Sequence, residues 1–301
     1  MLYYWSLARC EEKKLKPMSI SQEKAGQHCP EMRWLGVAGI ELRANEQILV
    51  IDPFVTRPPL RRMWWGRVRS DTALAAAMVP HADFVLVTHA HWDHVMDVPA
   101  VIDQTRTTAY GSPNTCQLLT ILGVAKERLH EIKVGDQLTL GTFQVEILPA
   151  EHGLVLGRPF AIGSLALHLR PPLRMRDYRM DACFSFLIEV GGLRFLDWSS
   201  KQVESAPLAD VLFVKPLQER AYYEDLLGVA QPRIVIPIHW DDFMRPLSQP
   251  LRPMLKPPRL AFPPLARVDL TAFRQMIKRI APQTQVFLPE IFRLYELNTF
   301  L

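Results

Sequence analysis

The sequence predicts an α/β fold in which two mixed β-sheets stack face to face with helices on their outer sides, an αββα sandwich. Three observations predict it. Apolar runs of strand length recur along the chain, interspersed with Ala-rich or amphipathic stretches of helical period. The second half of the chain repeats this style, which suits two stacked layers. The 301 residues, 49% hydrophobic and 22% charged, are enough to bury a core of that size.

Taken in order, residues 1–31 are polar without a clear period and are expected to form an N-terminal extension. One domain is expected over 32–301. Met32–Gly39 and Ile40–Arg43 read as strands, and Gln47–Ile51 is a short apolar run closed by Asp52-Pro53. Asp71–Met78 is Ala-rich and helical, and Ala82–Thr88 is a buried strand. Val98–Thr105 and Thr115–Leu122 follow as helices, then Gln137–Leu140 and Phe143–Leu148 as strands. The second half supplies strands at Leu165–Leu169, Phe184–Val190, Leu193–Leu196, Val211–Val214 and Ile234–Ile238, with a helix near Glu219–Leu227. An amphipathic helix over Val268–Ile280 and a strand at Val286–Leu288 complete the series. Thr56–Ser70, rich in Arg and Trp, and the proline-rich Arg245–Ala266 are expected to be loops, because proline forbids regular helix and central strand.

The formal net charge of +4 is a mild basic bias that admits anionic substrates. It lacks the clustering expected of a nucleic-acid footprint, so nucleic acid is not expected as a partner. The four cysteines, Cys10, Cys29, Cys116 and Cys183, contain no Cys-x-x-Cys pair and read as free thiols of a reducing compartment. The first residues have no basic region ahead of an apolar core, and no apolar run reaches membrane-spanning length. A cytoplasmic protein is expected. Contact with a membrane surface and homo-oligomer formation are open.

His89, His91, Asp93 and His94 fall within one short segment directly after a buried strand. Imidazole and carboxylate are the ligands that zinc, manganese and iron take. Strand ends are where sites gather in open α/β sheets. On a continuing strand His94 would point away from the other three, so a turn after Thr88 is required for all four to converge. Of the nine histidines, His152 follows the strand ending at Leu148 and His239 follows Ile234–Ile238; Asp197 closes Leu193–Leu196. These placements form a coherent set of donors. His28, His81, His130 and His168 lack such a setting and read as structural or surface residues.

The His-x-His-x-Asp-His run, a later His after Pro-Ala-Glu, an Asp after a hydrophobic strand and a His in Pro-Ile-His-Trp together resemble the metallo-β-lactamase superfamily over roughly residues 32 to 245. The resemblance implies a β-sandwich flanked by helices and two divalent ions, zinc first, with manganese or iron as alternatives. It implies one ion held by His89, His91 and His152, the other by Asp93, His94 and His239, and Asp197 bridging them. Asp52 looks like the early Asp that supports the site. The family commonly has Gly-Asp-Thr at the bridging position, where this chain has Leu196-Asp197-Trp198.

Two such ions lower the pKa of a bridging water toward neutrality and polarise a carbonyl or phosphoryl oxygen. Asp93 is the expected catalytic carboxylate, orienting that water or taking its proton. The compact length, Trp92 and Pro237–Trp240 look similar to the subgroup of ascorbate-6-phosphate lactonase and N-acyl phosphatidylethanolamine phospholipase D. The expected activity is therefore hydrolysis of a small, anionic or phosphorylated lactone or ester. The alternatives are a phosphodiesterase on a lipid or nucleotide and an inert metal-binding interaction module. Lys215, at the end of Val211–Val214, and Arg61 and Arg62 in the first basic loop are the expected substrate contacts, with Arg170, Arg174, Arg176 and Arg179 as a second basic stretch.

Overall fold

The computed structural model describes residues 29–59, 62, 66–153, 160–256 and 265–297. Strands β1 (Glu31–Gly36), β2 (Gly39–Ala44) and β3 (Gln47–Ile51) form an antiparallel meander. Helix α1 (Thr72–Met78) then leads to β4 (Phe84–Leu86), which adds in parallel to β3. A short helix α2 (Trp92–Val95) and α3 (Val98–Thr105) precede β5 (Thr108–Gly111), and α4 (Pro113–Ile121) precedes β6 (Leu129–Glu131). Each of these strands again adds in parallel. The second sheet opens with the antiparallel β7 (Gln137–Leu140), β8 (Phe143–Pro149), β9 (Phe184–Val190) and β10 (Leu193–Trp198). It continues in parallel through β11 (Val211–Val214), α5 (Arg220–Ala230), β12 (Ile234–Pro237), α6 (Leu270–Ile280) and β13 (Gln285–Val286). Strand β14 (Leu294–Glu296) returns to pair with β1, so the orders are β14-β1-β2-β3-β4-β5-β6 and β13-β12-β11-β10-β9-β8-β7.

Side-chain alternation explains the layers. In β11, Val211 and Phe213 face the opposite sheet, while Leu212 and Val214 face α5 and α6. Ile234 and Ile236 of β12 face inward, and Val235 faces outward. Strands buried on both faces read as unbroken apolar runs, which is why they stand out in the sequence. The central layer joins Trp34, Ile40, Leu49 and Ile51 of the first sheet to Phe143, Ile147, Phe186 and Phe195 of the second. Val50, Val85 and Val87 pack on the other side against Val101, Ile102, Leu118 and Leu119 of α3 and α4. The order of layers is helix, sheet, sheet, helix, as expected.

The strand expected at Leu165–Leu169 is absent. Its alternation is genuine, but among the described residues no strand pairs with it, and Leu167 is 86% exposed. The segment is irregular, with His168 at φ 62, and is held nearby by the Asn114 side chain, which donates to the carbonyls of Gly163 and Arg179. Strands β5, β6 and β14 were not anticipated. They are short, and their identity comes from pairing with distant chain. Residues 1–28, most of the expected extension, lie outside the described residues. Among the described residues no helix is long and apolar enough to cross a membrane.

Candidate metal centre

Strand ends deliver the site. β3 stops at Ile51, where Asp52 turns with φ 44 and donates its backbone N–H to the Leu86 carbonyl. β4 runs out at Thr88 and His89. The chain then turns, and His91 takes the N-cap of α2 with His94 and Val95 donating back to its carbonyl. Asp93 falls in the first turn of α2, where a carboxylate suits the helix dipole. From the second sheet, His152 follows β8, Asp197 lies near the end of β10 and His239 follows β12.

Donor atoms of His89, His91 and His152 lie within 4.8 Å of one another, and so do those of Asp93, His94 and His239. The imidazoles crowd together: ring centroids are 3.9 Å apart for His89 and His94, 4.4 Å for His91 and His152, and 4.7 Å for His89 and His91. Their hydrogen bonds decide which nitrogens are free. Thr88 Oγ1 donates to Asp52 Oδ2 at 2.5 Å, so its oxygen is left to accept from His89 Nδ1 at 3.0 Å. His89 Nε2 then carries the lone pair, and it is buried with no partner. His91 donates from Nε2 to the Phe160 carbonyl at 3.1 Å, which frees Nδ1. His94 Nδ1 meets Asp52 Oδ2 at 2.6 Å, leaving Nε2 towards Asp93, 3.7 Å away. His239 Nε2 is 3.5 Å from Asp93, and its Nδ1 is buried without a partner. An orphaned buried imidazole nitrogen such as His89 Nε2 is costly, and a cation between the first trio's donors would relieve it. The residues present therefore fit two divalent ions.

Burial, and then the neighbouring imidazoles, hold the His89 pKa well below the usual value. Burial also lowers His91 to about 4 and His152 to about 3. These groups are neutral near pH 7, the form that ligates metal. His94 is the exception. Burial opposes its charge, but the Asp52 and Asp93 carboxylates outweigh it and raise the pKa. Asp93 is held well below the carboxylate range: burial opposes ionisation, and His94 and His239 overcome it. Asp197 is pushed up to about 7 by burial and then by the charge of Asp52.

A family model described as the Beta-lactamase superfamily domain matches residues 48–195, a span that runs from β3 through the His-rich turn to β10. Over that span, just under half of its length, the chain is similar to the metallo-β-lactamase superfamily. A metal-dependent hydrolase of Polynucleobacter asymbioticus is 31% identical over 42% of this chain and 43% of its own length. One from Carboxydothermus hydrogenoformans is 24% identical over 70% of this chain and 84% of its own. Among solved structures, a metallo hydrolase from the archaeon Ignicoccus hospitalis aligns with a TM-score of 0.55 at 15% identity, covering 88% of this chain and 97% of that one, which shows the fold.

The two trios contain His89, His91, His152, Asp93, His94 and His239, and Asp197 falls in neither. Asp197 is buried on β10, close enough to Asp52, Lys215 and His94 for their charges to act on it. Asp52 receives the Thr88 N–H, the Thr88 hydroxyl and His94 Nδ1. Lys215 is half-buried and lies near enough to His152, His239 and His89 to lower their pKa values. Arg62 is exposed, and Arg61 lies outside the described residues. Two arginines of the basic loop are structural instead. Arg57 is buried in a pair with Asp241, and Arg67 donates to the carbonyls of Arg170 and Pro172. His81, His130 and His168 are exposed and join neither trio. Sequence reasoning missed Thr88, whose place just before the first His of the run was the available signal. It also missed the Phe160 carbonyl and Asp241, for which no local signal exists.

Proposed function

We propose that this protein is a binuclear metal-dependent hydrolase acting on a small anionic substrate, a lactone or ester. The observation that carries the reading is the pair of donor trios, with a buried, unpartnered nitrogen on His89 in the first. The relatives' names support the class, metal-dependent hydrolase. Zinc is the first expectation for a site of imidazoles and carboxylate, with manganese or iron as alternatives. Bound there, the ions would supply a water of lowered pKa and polarise the substrate oxygen. His89, His91 and His152 would hold one ion, and Asp93, His94 and His239 the other. In this reading Asp197 lies between them.

The chain's own groups do the rest. Asp93 has a carboxylate held ionised beside both trios, so it can orient the attacking water. Asp52 holds His94 in one tautomer. Lys215 is a cation whose charge acts on His89, His152 and His239, which supports an anionic substrate; its ammonium would take the substrate's charge without competing for the metals. The test begins with elemental analysis of protein prepared without chelator, followed by a panel of lactones, esters and phosphodiesters. Two transition-metal ions per chain and turnover of an anionic lactone or ester are expected. Replacing Lys215 with Met should raise KM about ten- to a hundredfold at unchanged metal content. Protein that takes up no transition metal on reconstitution sinks the class; preference for phosphodiesters or neutral esters overturns the substrate.

A further inference from the structure

We infer that Arg57 and Asp241 form a positioning pair that sets the second donor trio by holding His239 in place. This rests on the binuclear reading above. Asp93 and His94 ride on α2, behind the first sheet, whereas His239 comes from the end of β12 in the second. The trio closes only if the two sheets are locked at this end.

The lock is visible bond by bond. His239 has φ 55 and donates its backbone N–H to the Val37 carbonyl at 2.7 Å. Val37 in turn donates its N–H to Asp241 Oδ1 at 3.0 Å, so the turn between β1 and β2 is gripped from both sides. Trp34 Nε1 donates to the same Val37 carbonyl, and the Trp34 ring stacks on Trp240 at 5.3 Å. The other oxygen of Asp241 accepts from Arg57 Nη2 at 2.5 Å, and Arg57 Nη1 reaches the Asp242 carbonyl at 3.2 Å. The two side chains of this ion pair are 1% and 0% exposed.

Arg57 is itself tied to the other half of the trio. The N–H groups of Val55 and Thr56 donate to Asp97 Oδ2 at 2.8 and 2.7 Å, and Asp97 lies just past α2, on the segment that carries Asp93 and His94. A closed ring therefore runs from α2 through Asp97, Thr56, Arg57 and Asp241 to His239. Gly36 leaves room for it: at φ +93, a Cβ there would come 2.7 Å from Arg57 Nη2. A buried ion pair is a poor device for stability alone, because apolar groups of the same volume serve as well or better. A bidentate guanidinium that fixes a carboxylate and a carbonyl at once is a device for geometry.

The experiment is cobalt(II) titration of the metal-free full-length chain, read by visible absorption, with the melting temperature recorded for each variant. The wild type should take up two equivalents. Arg57→Met should bind the first as the wild type does and the second about ten- to a hundredfold more weakly. Arg57→Lys should recover part of the loss, since an ammonium can meet Asp241 but cannot hold the Asp242 carbonyl in the same fork. Arg33→Met is the control. It breaks another ion pair, in which Arg33 is partly buried and Glu41 fully, and should lower the melting temperature while leaving both cobalt affinities unchanged. Unchanged second-ion affinity in Arg57→Met, or a loss matched by Arg33→Met, overturns the proposal. Should Arg57→Met fail to fold, Arg57→Lys and Gly36→Ala decide on the same terms. A wild type that binds fewer than two ions defeats the binuclear reading instead, and the positioning role falls with it.

Discussion

Thr88 shows how much one side chain can organise. Its hydroxyl donates to Asp52 and accepts from Nδ1 of His89, so this short residue sets the His89 tautomer and buttresses the Asp52 carboxylate that sets that of His94. The trios nevertheless differ in their protons, and the difference is measurable. His91 and His152, at about 4 and about 3, are neutral at neutral pH and carry no charge-bearing proton to displace. His94 is raised by Asp52 and Asp93, so an ion that binds it must displace a proton. In the binuclear reading, as pH falls an ion held by Asp93, His94 and His239 should leave first, and one held by the other trio should persist until the remaining imidazoles protonate. Equilibrium dialysis against a pH series, with metal content measured at each step, checks this; simultaneous loss of both ions would contradict it. A second residue-scale prediction concerns sulfur. Burial pushes Cys116 and Cys183 up to about 12. At pH 8 the thiolate fraction is then on the order of 10⁻⁴, so both should resist iodoacetamide in the folded protein and react on unfolding. Mass spectrometry locates the label, and rapid modification of either in the native state refutes the prediction.

At the scale of elements, helices here are held by their buried faces more than by their ends. Leu226 of α5 is fully buried against the outer side of the second sheet. Leu226→Ala should cost about 2–5 kcal/mol through lost contacts and the cavity left behind. Asp71 caps α1 by accepting from the Leu74 N–H at 3.0 Å at an exposed site, and Asp71→Ala should cost only about 1 kcal/mol. Urea unfolding of the two variants gives the comparison, and the reverse order would mean that α5 is less firmly packed than its burial indicates. The same contrast explains which elements were legible. β11 and β12 announce themselves because both faces are buried and every residue is apolar. Helix α6 does so because its apolar residues keep one face. β14 pairs Tyr295 with Met32 from the far end of the chain, and nothing local in Leu294–Glu296 marks it. Leu165–Leu169 fails in the opposite direction, with the alternation of a strand and no partner.

For the whole molecule, the site is the seam between two sheets, so its occupancy should be felt in the stability of the fold. Each trio gathers groups that a chain without ions would rather keep apart, crowded imidazoles above all. Chelation should lower the melting temperature, and returning zinc or manganese should restore it; one site filled at about a hundred times Kd contributes about 2.7 kcal/mol. Scanning calorimetry with and without chelator makes the test, and identical transitions would mean that the donors are satisfied without metal. The sequence by itself determined the layers and the donors. Period-two and period-3.6 burial is written locally, and a cluster such as His89-Ala90-His91-Trp92-Asp93-His94 announces its chemistry by residue type and spacing. The resemblance already implied how those donors divide into trios, and tertiary structure brings them together that way. Tertiary structure alone decided which nitrogen each imidazole keeps free, and that Arg57 serves the fold beneath the site while Lys215 stands beside the donors. These are matters of distance between chain segments far apart in sequence. Such distances are set by the packing of one sheet on the other, and no local pattern encodes them.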